Sequence, residues 1–265
     1  MTTVSRPSCW LFSDSWGRPK YFQCPQLVSQ NGKYIDTIKI DPHRVVDLNK
    51  FEVHFSLDWI NRAIPGLSMD KLLNNYADEL ISWARNLPIV TVIHLGAVDV
   101  NNRVVGETGK EYGDYVFDFL EQMIYSAQVT LSEQERDEFS RKLQNDHRFL
   151  WLGLPDWGME YTPKYNNSMT PAQYKKARRR INSAMKKNQA KLWRIHKGII
   201  FTPMLSHPQR NNVHLSANDA RKFARQIAAV VSRLSCTYCR IEMSGKFKKC
   251  QHAAKELKTE GCNLS

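Results

Sequence analysis

Residues 8–20, Ser8-Cys9-Trp10-Leu11-Phe12-Ser13-Asp14-Ser15-Trp16-Gly17-Arg18-Pro19-Lys20, set the reading of this chain. A short apolar run, Cys9 to Phe12, breaks at once into small polar residues. A run of this length bounded by turn formers predicts a buried strand of an α/β sheet. Ligands in such sheets bind at the carboxyl ends of the strands. Ser15 falls on the turn that follows, where a serine is a candidate nucleophile once a base reaches it. Taken alone, a Ser-Asp-Ser turn after an apolar run is a weak signal that reads first as a solvated connection.

Outward from this stretch, strand and helix signals alternate. Residues 88–95 (PIVTVIHL) are nearly continuous and β-branched, as a central parallel strand covered on both faces should be. Residues 149–154 and 198–202 predict two more strands, and residues 34–40 and 51–57 alternate as strands do. Helical spacing predicts helices over about 69–85, 115–127 and 131–143, the last carrying Ser132 and Glu135 as a capping pair. Thr170-Pro171 opens a helix reaching to about residue 194. Ser216 with Asp219 caps a final helix whose apolar face is Phe223, Ile227, Val230, Val231 and Leu234. The alternation predicts a mostly parallel sheet with helices on both sides.

The 265 residues, 42% of them hydrophobic, suffice for one large domain, taken as residues 1–235, with a tail over 236–265. No run of about 18 apolar residues suggests a membrane span, and residues 1–7 have no apolar signal core. The expectation is an intracellular protein, of cytoplasm or nucleus, whose six cysteines are thiols or metal ligands rather than a disulfide framework. The net charge of +12 is unevenly placed. Residues 161–265 hold 22 Lys and Arg against 4 acids, whereas residues 1–160 hold 16 against 22. An anionic partner is therefore expected on the C-terminal half, nucleic acid first and an acidic protein or membrane surface second; the bland alternative is a solvated basic helix.

A serine nucleophile needs a histidine. His214 lies in Asn211-Asn212-Val213-His214-Leu215-Ser216, a loop just ahead of the capped final helix. Four short blocks now stand in order: Ser13-Asp14-Ser15, Pro65-Gly66-Leu67-Ser68, Ile93-His94-Leu95-Gly96-Ala97-Val98-Asp99, and Val213-His214-Leu215-Ser216. In order, spacing and context the chain resembles the SGNH (GDSL-type) hydrolase family over about residues 8–234. That resemblance implies a flavodoxin-like three-layer α/β/α sandwich and hydrolysis of acyl or acetyl esters, with a small ester or acylated molecule as substrate and no cofactor. It implies Ser15 as nucleophile, His214 as general base, and the backbone N–H groups of Ser15 and Gly66 as oxyanion donors.

Three positions depart from the family pattern. Ser13 stands where the first block has glycine. Val98 stands where the third block has the asparagine that supplies a further oxyanion donor. Asn211 stands where the last block has the aspartate that orients the histidine. An asparagine holds the ring but does not stabilise an imidazolium, a change that costs a serine protease about 10⁴-fold in turnover. Asp99, Asp156 and His207 are further polar groups that could compensate. The rival reading is a non-catalytic SGNH scaffold that binds nucleic acid through its basic half, as in proteins of some mobile elements; a plain protein-interaction module is a third.

The helix from Pro171 carries Lys175, Lys176, Arg178, Arg179, Arg180, Lys186 and Lys187, a density suited to phosphates. The tail carries Cys236, Cys239, Cys250, His252 and Cys262. The first pair has zinc-ligand spacing and five candidates are available for four places. The alternative is free thiols on a tail with too little apolar content to fold alone.

Overall fold

A computed structural model describes residues 8–14, 38–40, 58–102, 109–156, 169–192 and 199–202. Six strands form one sheet: β1 (Ser8–Ser13), β2 (Ile38–Ile40), β3 (Asp58–Ala63), β4 (Val90–His94), β5 (Arg148–Leu152) and β6 (Ile199–Thr202). Their order is β2-β3-β1-β4-β5-β6. β3, β1, β4, β5 and β6 run parallel, and β2 joins β3 antiparallel at the edge. The parallel strands, taken in chain order, follow the flavodoxin-like arrangement, whose switch point falls between the first and third of them, here β1 and β4.

The helices are α1 (Met69–Asn75), α2 (Ala77–Arg85), α3 (Ala97–Asn101), α4 (Gly109–Val129), α5 (Glu133–Asn145) and α6 (Pro171–Leu192). Trp10, Phe12, Ile93, Phe149 and Trp151 share one core cluster with residues of all six helices. Cys9, Leu11, Val90, Val92, Leu150 and Leu152 alternate to the opposite face and are buried as well, which requires cover on both sides of the sheet. The final helix expected over residues 216–234 lies outside the described residues.

Three expectations change. The second parallel strand is Asp58–Ala63, a segment with three polar residues and no apolar run; residues 51–57 lie outside the described residues. Arg62 is tolerated there because its guanidinium pairs with Glu79 and lies 5.1 Å from the centre of the Trp10 ring. The helix expected over 69–85 is two helices that break at Tyr76, with φ −130° and ψ 41°. The Tyr76 carbonyl then accepts the Glu79 and Leu80 N–H groups and starts α2. Finally, α4 begins earlier than its apolar face suggests, at Gly109. The capping signals hold: Ser132 and Glu135 form a reciprocal box, and Thr170 and Gln173 exchange side-chain-to-backbone bonds at the start of α6.

Candidate active site

Three of the four sequence blocks meet at the carboxyl ends of β1, β3 and β4. Ser13 and His94 are directly paired positions on neighbouring strands. The Ser13 Oγ lies 3.2 Å from His94 Nδ1, with both residues buried. The Ser13 carbonyl accepts the Ile64 N–H at 2.9 Å, which sets the chain leaving β3 beside the end of β1. The Met69 N–H donates to Asp99 Oδ1 at 3.1 Å and faces Oδ2 at 3.4 Å, which ties the second block to the third.

The second block is a tight turn. Leu67 N–H bonds the Ile64 carbonyl at 3.1 Å, with Pro65 and Gly66 between them. Gly66 has φ 68°, as the third position of a type II turn demands. Its N–H makes no hydrogen bond to any described residue. Its carbonyl accepts the Lys71 ammonium at 3.2 Å. Ser68 caps α1 through the Lys71 N–H.

The third block turns sharply at Gly96, φ 105°, where a Cβ would collide with the Tyr112 hydroxyl. That hydroxyl reaches the Leu95 carbonyl at 3.4 Å. Val98 is half-buried and Asp99 fully buried. Asp99 Oδ1 also accepts the Tyr115 hydroxyl at 3.2 Å. Burial pushes the Asp99 carboxyl up to about 6, against the lowering effect of its Met69 and Tyr115 hydrogen bonds. Burial drives His94 the other way, down to about 3, so its imidazole is neutral at ordinary pH.

Ser15, Asn211 and His214 lie outside the described residues, as does His207. Gly66 is described, in the turn that leaves β3 beside the end of β1. Asp156 is engaged elsewhere: it pairs with Arg178 at 3.2 Å. Arg178 also donates to the Leu154 carbonyl at 3.1 Å, next to Asn182, which exchanges two bonds with the Leu154 backbone. Tyr174 adds a bond to the Pro155 carbonyl at 3.1 Å. Tyr174, Arg178 and Asn182 therefore form the inner face of α6, clamping the loop after β5. Lys176, Arg179, Arg180, Lys186 and Lys187 are exposed on its outer side, and Lys175 is intermediate. The tail residues Cys236, Cys239, Cys250, His252 and Cys262 lie outside the described residues. Among the described residues, no group of three or more side chains is placed to hold a metal, and no helix is long and apolar enough to cross a membrane.

Ser13, His94, Met69 and Tyr115 had no assigned role in the sequence. The signal for His94 was its place in the block before Gly96. Its partner stands 81 residues away, and only strand pairing reveals the contact.

No protein-family model matches the sequence, and no curated protein matches it. Solved structures do. Est24, a carbohydrate acetylesterase from Sinorhizobium meliloti, matches over 86% of this chain and 100% of its own, at 12% identity and TM-score 0.54. An aryl esterase of M. smegmatis in its inhibitor-bound form matches over 86% of this chain and 99% of its own, at 11% identity and TM-score 0.52. The chain therefore has the flavodoxin-like fold of the SGNH (GDSL-type) hydrolases.

Proposed function

We propose that the protein is an SGNH-type hydrolase of acyl or acetyl esters, of low turnover. The observation that carries this is the stitching of the first three blocks to one another at the β1/β4 switch point, through Ser13, Ile64, His94, Met69 and Asp99. Ser15 follows Asp14 by one peptide bond, and the Gly66 turn is drawn to the end of the same strand. In this reading Ser15 Oγ attacks the ester carbonyl while His214 takes its proton. The tetrahedral oxyanion is met by the Ser15 and Gly66 N–H groups. His214 then protonates the departing alcohol, and water releases the acyl group by the reverse sequence. Asn211 orients the ring without stabilising its charged form, and Val98 offers no third donor, so turnover is slow.

The test is hydrolysis of a short-chain chromogenic acetyl ester by wild type, Ser15→Ala and Asn211→Asp. Slow turnover in wild type, none in Ser15→Ala and a faster Asn211→Asp are expected. Three rates equal to buffer would sink the reading for this substrate class.

A second function rests on α6. The exposed Lys176, Arg179, Arg180, Lys186 and Lys187 have no carboxylate partner among the described residues, whereas Arg62, Arg85, Lys142 and Arg178 each have one. Lys176 to Lys187 spans about 17 Å of helix at 1.5 Å per residue, a length that tracks several phosphates. Nucleic acid is the proposed partner of this stripe. Fluorescence anisotropy with a labelled oligonucleotide should show salt-sensitive binding that Arg179→Gln/Arg180→Gln weakens while Arg178→Gln changes salt sensitivity little. Binding insensitive to salt and to the outer pair would remove this reading.

A further inference from the structure

Asp99 is costly where it sits. It is fully buried and forms no ion pair among the described residues; its oxygens are met by the Met69 N–H and the Tyr115 hydroxyl. Burying a carboxylate is costly, and hydrogen bonds to it are stronger than neutral ones, so the Met69 N–H and the Tyr115 hydroxyl are firmly held. Met69 N–H is one of the first-turn N–H groups of α1 that have no partner within the helix, and the Ser68 hydroxyl is already committed to Lys71. Met69 lies three residues beyond Gly66. Between them Leu67 is buried and bonded back to Ile64, so the segment has little freedom to pivot. α3 itself is held from the other side: the Asn101 carbonyl accepts the Met169 N–H at 3.1 Å, at the approach to α6.

We propose that Asp99 is a positioning residue that fixes the Gly66 N–H for catalysis, by clamping α1 to α3 through Met69 with Tyr115 as its brace. This rests on the ester-hydrolase reading, in which Gly66 is an oxyanion donor. The chain lacks a third donor at Val98, so the position of Gly66 carries more of the transition-state stabilisation. Asp99 touches no substrate; it acts through the backbone. What the clamp requires is an acceptor oxygen facing Met69, so an asparagine should serve nearly as well as the carboxylate.

Full-length Asp99→Ala, Asp99→Asn and Ser15→Ala proteins separate the possibilities. Ester hydrolysis by Asp99→Ala should fall in kcat by about 10²-fold with KM within about twofold, the cost of misplacing one oxyanion donor. Asp99→Asn should stay within about threefold of wild type, because its amide oxygen still accepts the Met69 N–H. Backbone amide exchange by mass spectrometry should accelerate over residues 64–71 in Asp99→Ala and not in Asp99→Asn, with β4 unchanged in both. The proposal is overturned if exchange over 64–71 is unaffected in Asp99→Ala, if KM rises as kcat falls, or if Asp99→Asn is as slow as Asp99→Ala. Should Asp99→Ala fail to fold, Asp99→Asn decides through its exchange and kcat. Hydrolysis surviving in Ser15→Ala would remove the ester reading, and exchange alone would then judge the clamp.

Discussion

Strand β4 carries a buried hydroxyl–imidazole pair at each end. At its amino end Thr91 Oγ1 lies 2.9 Å from His147 Nε2 and accepts the Trp83 indole N–H at 2.8 Å. Around this pair stand rings: His147 is 4.4 Å from Phe149 and 5.9 Å from Trp83, centre to centre, and Phe139 meets Trp83 edge-on at 5.6 Å. At the carboxyl end Ser13 and His94 form the second pair. Here the chain leaves both strands: buried Asp14 follows Ser13, the Ser13 carbonyl holds the Ile64 N–H at the exit of β3, and Gly96 turns the chain two residues past His94. The chemistry of the two pairs is alike and their settings are not. A pair walled by aromatic rings is a packing element. A pair at strand ends that bond outgoing loops belongs to a place where loops converge, and that is where ligands enter sheets of this kind. A buried Ser–His contact is thus no evidence of catalysis by itself; its end of the strand decides how it should be read.

The largest expected effect lies at the carboxyl end and appears as pH dependence. Asp99 is pushed from 3.8 to about 6, so the folded state holds more protons than the unfolded state between those values. Stability from this group is therefore present at low pH and lost as pH rises through about 6, by about 3 kcal/mol in all. Asp70, Tyr112 and Tyr115 are the titratable neighbours acting with it. His94, lowered to about 3, works oppositely: folding excludes its proton, and stability is lost as pH falls below the ordinary histidine range. Because the two oppose each other, the clean readout is a difference. Urea denaturation of wild type and Asp99→Asn at several pH values should show wild type gaining about 2–3 kcal/mol on the variant from pH 7 to pH 4. A constant difference would mean that Asp99 is not perturbed as described.

Next in size is Thr91→Val. It keeps the shape and removes the acceptor of the Trp83 N–H, at about 2 kcal/mol. Thermal denaturation should register the loss while ester hydrolysis per folded molecule stays at the wild-type value. Smallest in stability is Ser13→Ala, about 1 kcal/mol for one hydrogen bond. Its effect should instead appear in kcat, since Ser13 joins β1 to β4 two residues before Ser15. If Thr91→Val lowered kcat and Ser13→Ala did not, the contrast between the two ends would be wrong.

Much of this architecture is legible from local pattern. β1, β4 and β5 are short apolar runs closed by turn formers, and the α5 and α6 starts are written in their capping residues. β3 is not legible, because Asp58, Asn61 and Arg62 break any apolar pattern; Arg62 is buried only because Glu79 and Trp10 receive it. The break at Tyr76 is equally hidden, since apolar spacing runs through it. Arg178 reads as one cation in a basic helix and is in fact a clamp on the loop after β5, because 3.6-residue geometry aligns it with Tyr174 and Asn182.

The sequence by itself determined the alternation of strands and helices, the order of the four blocks and the excess of positive charge in the last 105 residues. These are properties of neighbours along the chain, set by side-chain period, turn chemistry and composition. Tertiary structure decided which polar residues meet. Ser13 and His94 are 81 residues apart and Met69 and Asp99 are 30, distances over which local preference carries no information. Parallel pairing of β1 with β4 brings the first pair together, and packing α1 against the α3 turn brings the second. The physical reason is that a hydrogen bond across a sheet depends on register, and register is a property of the assembled strands.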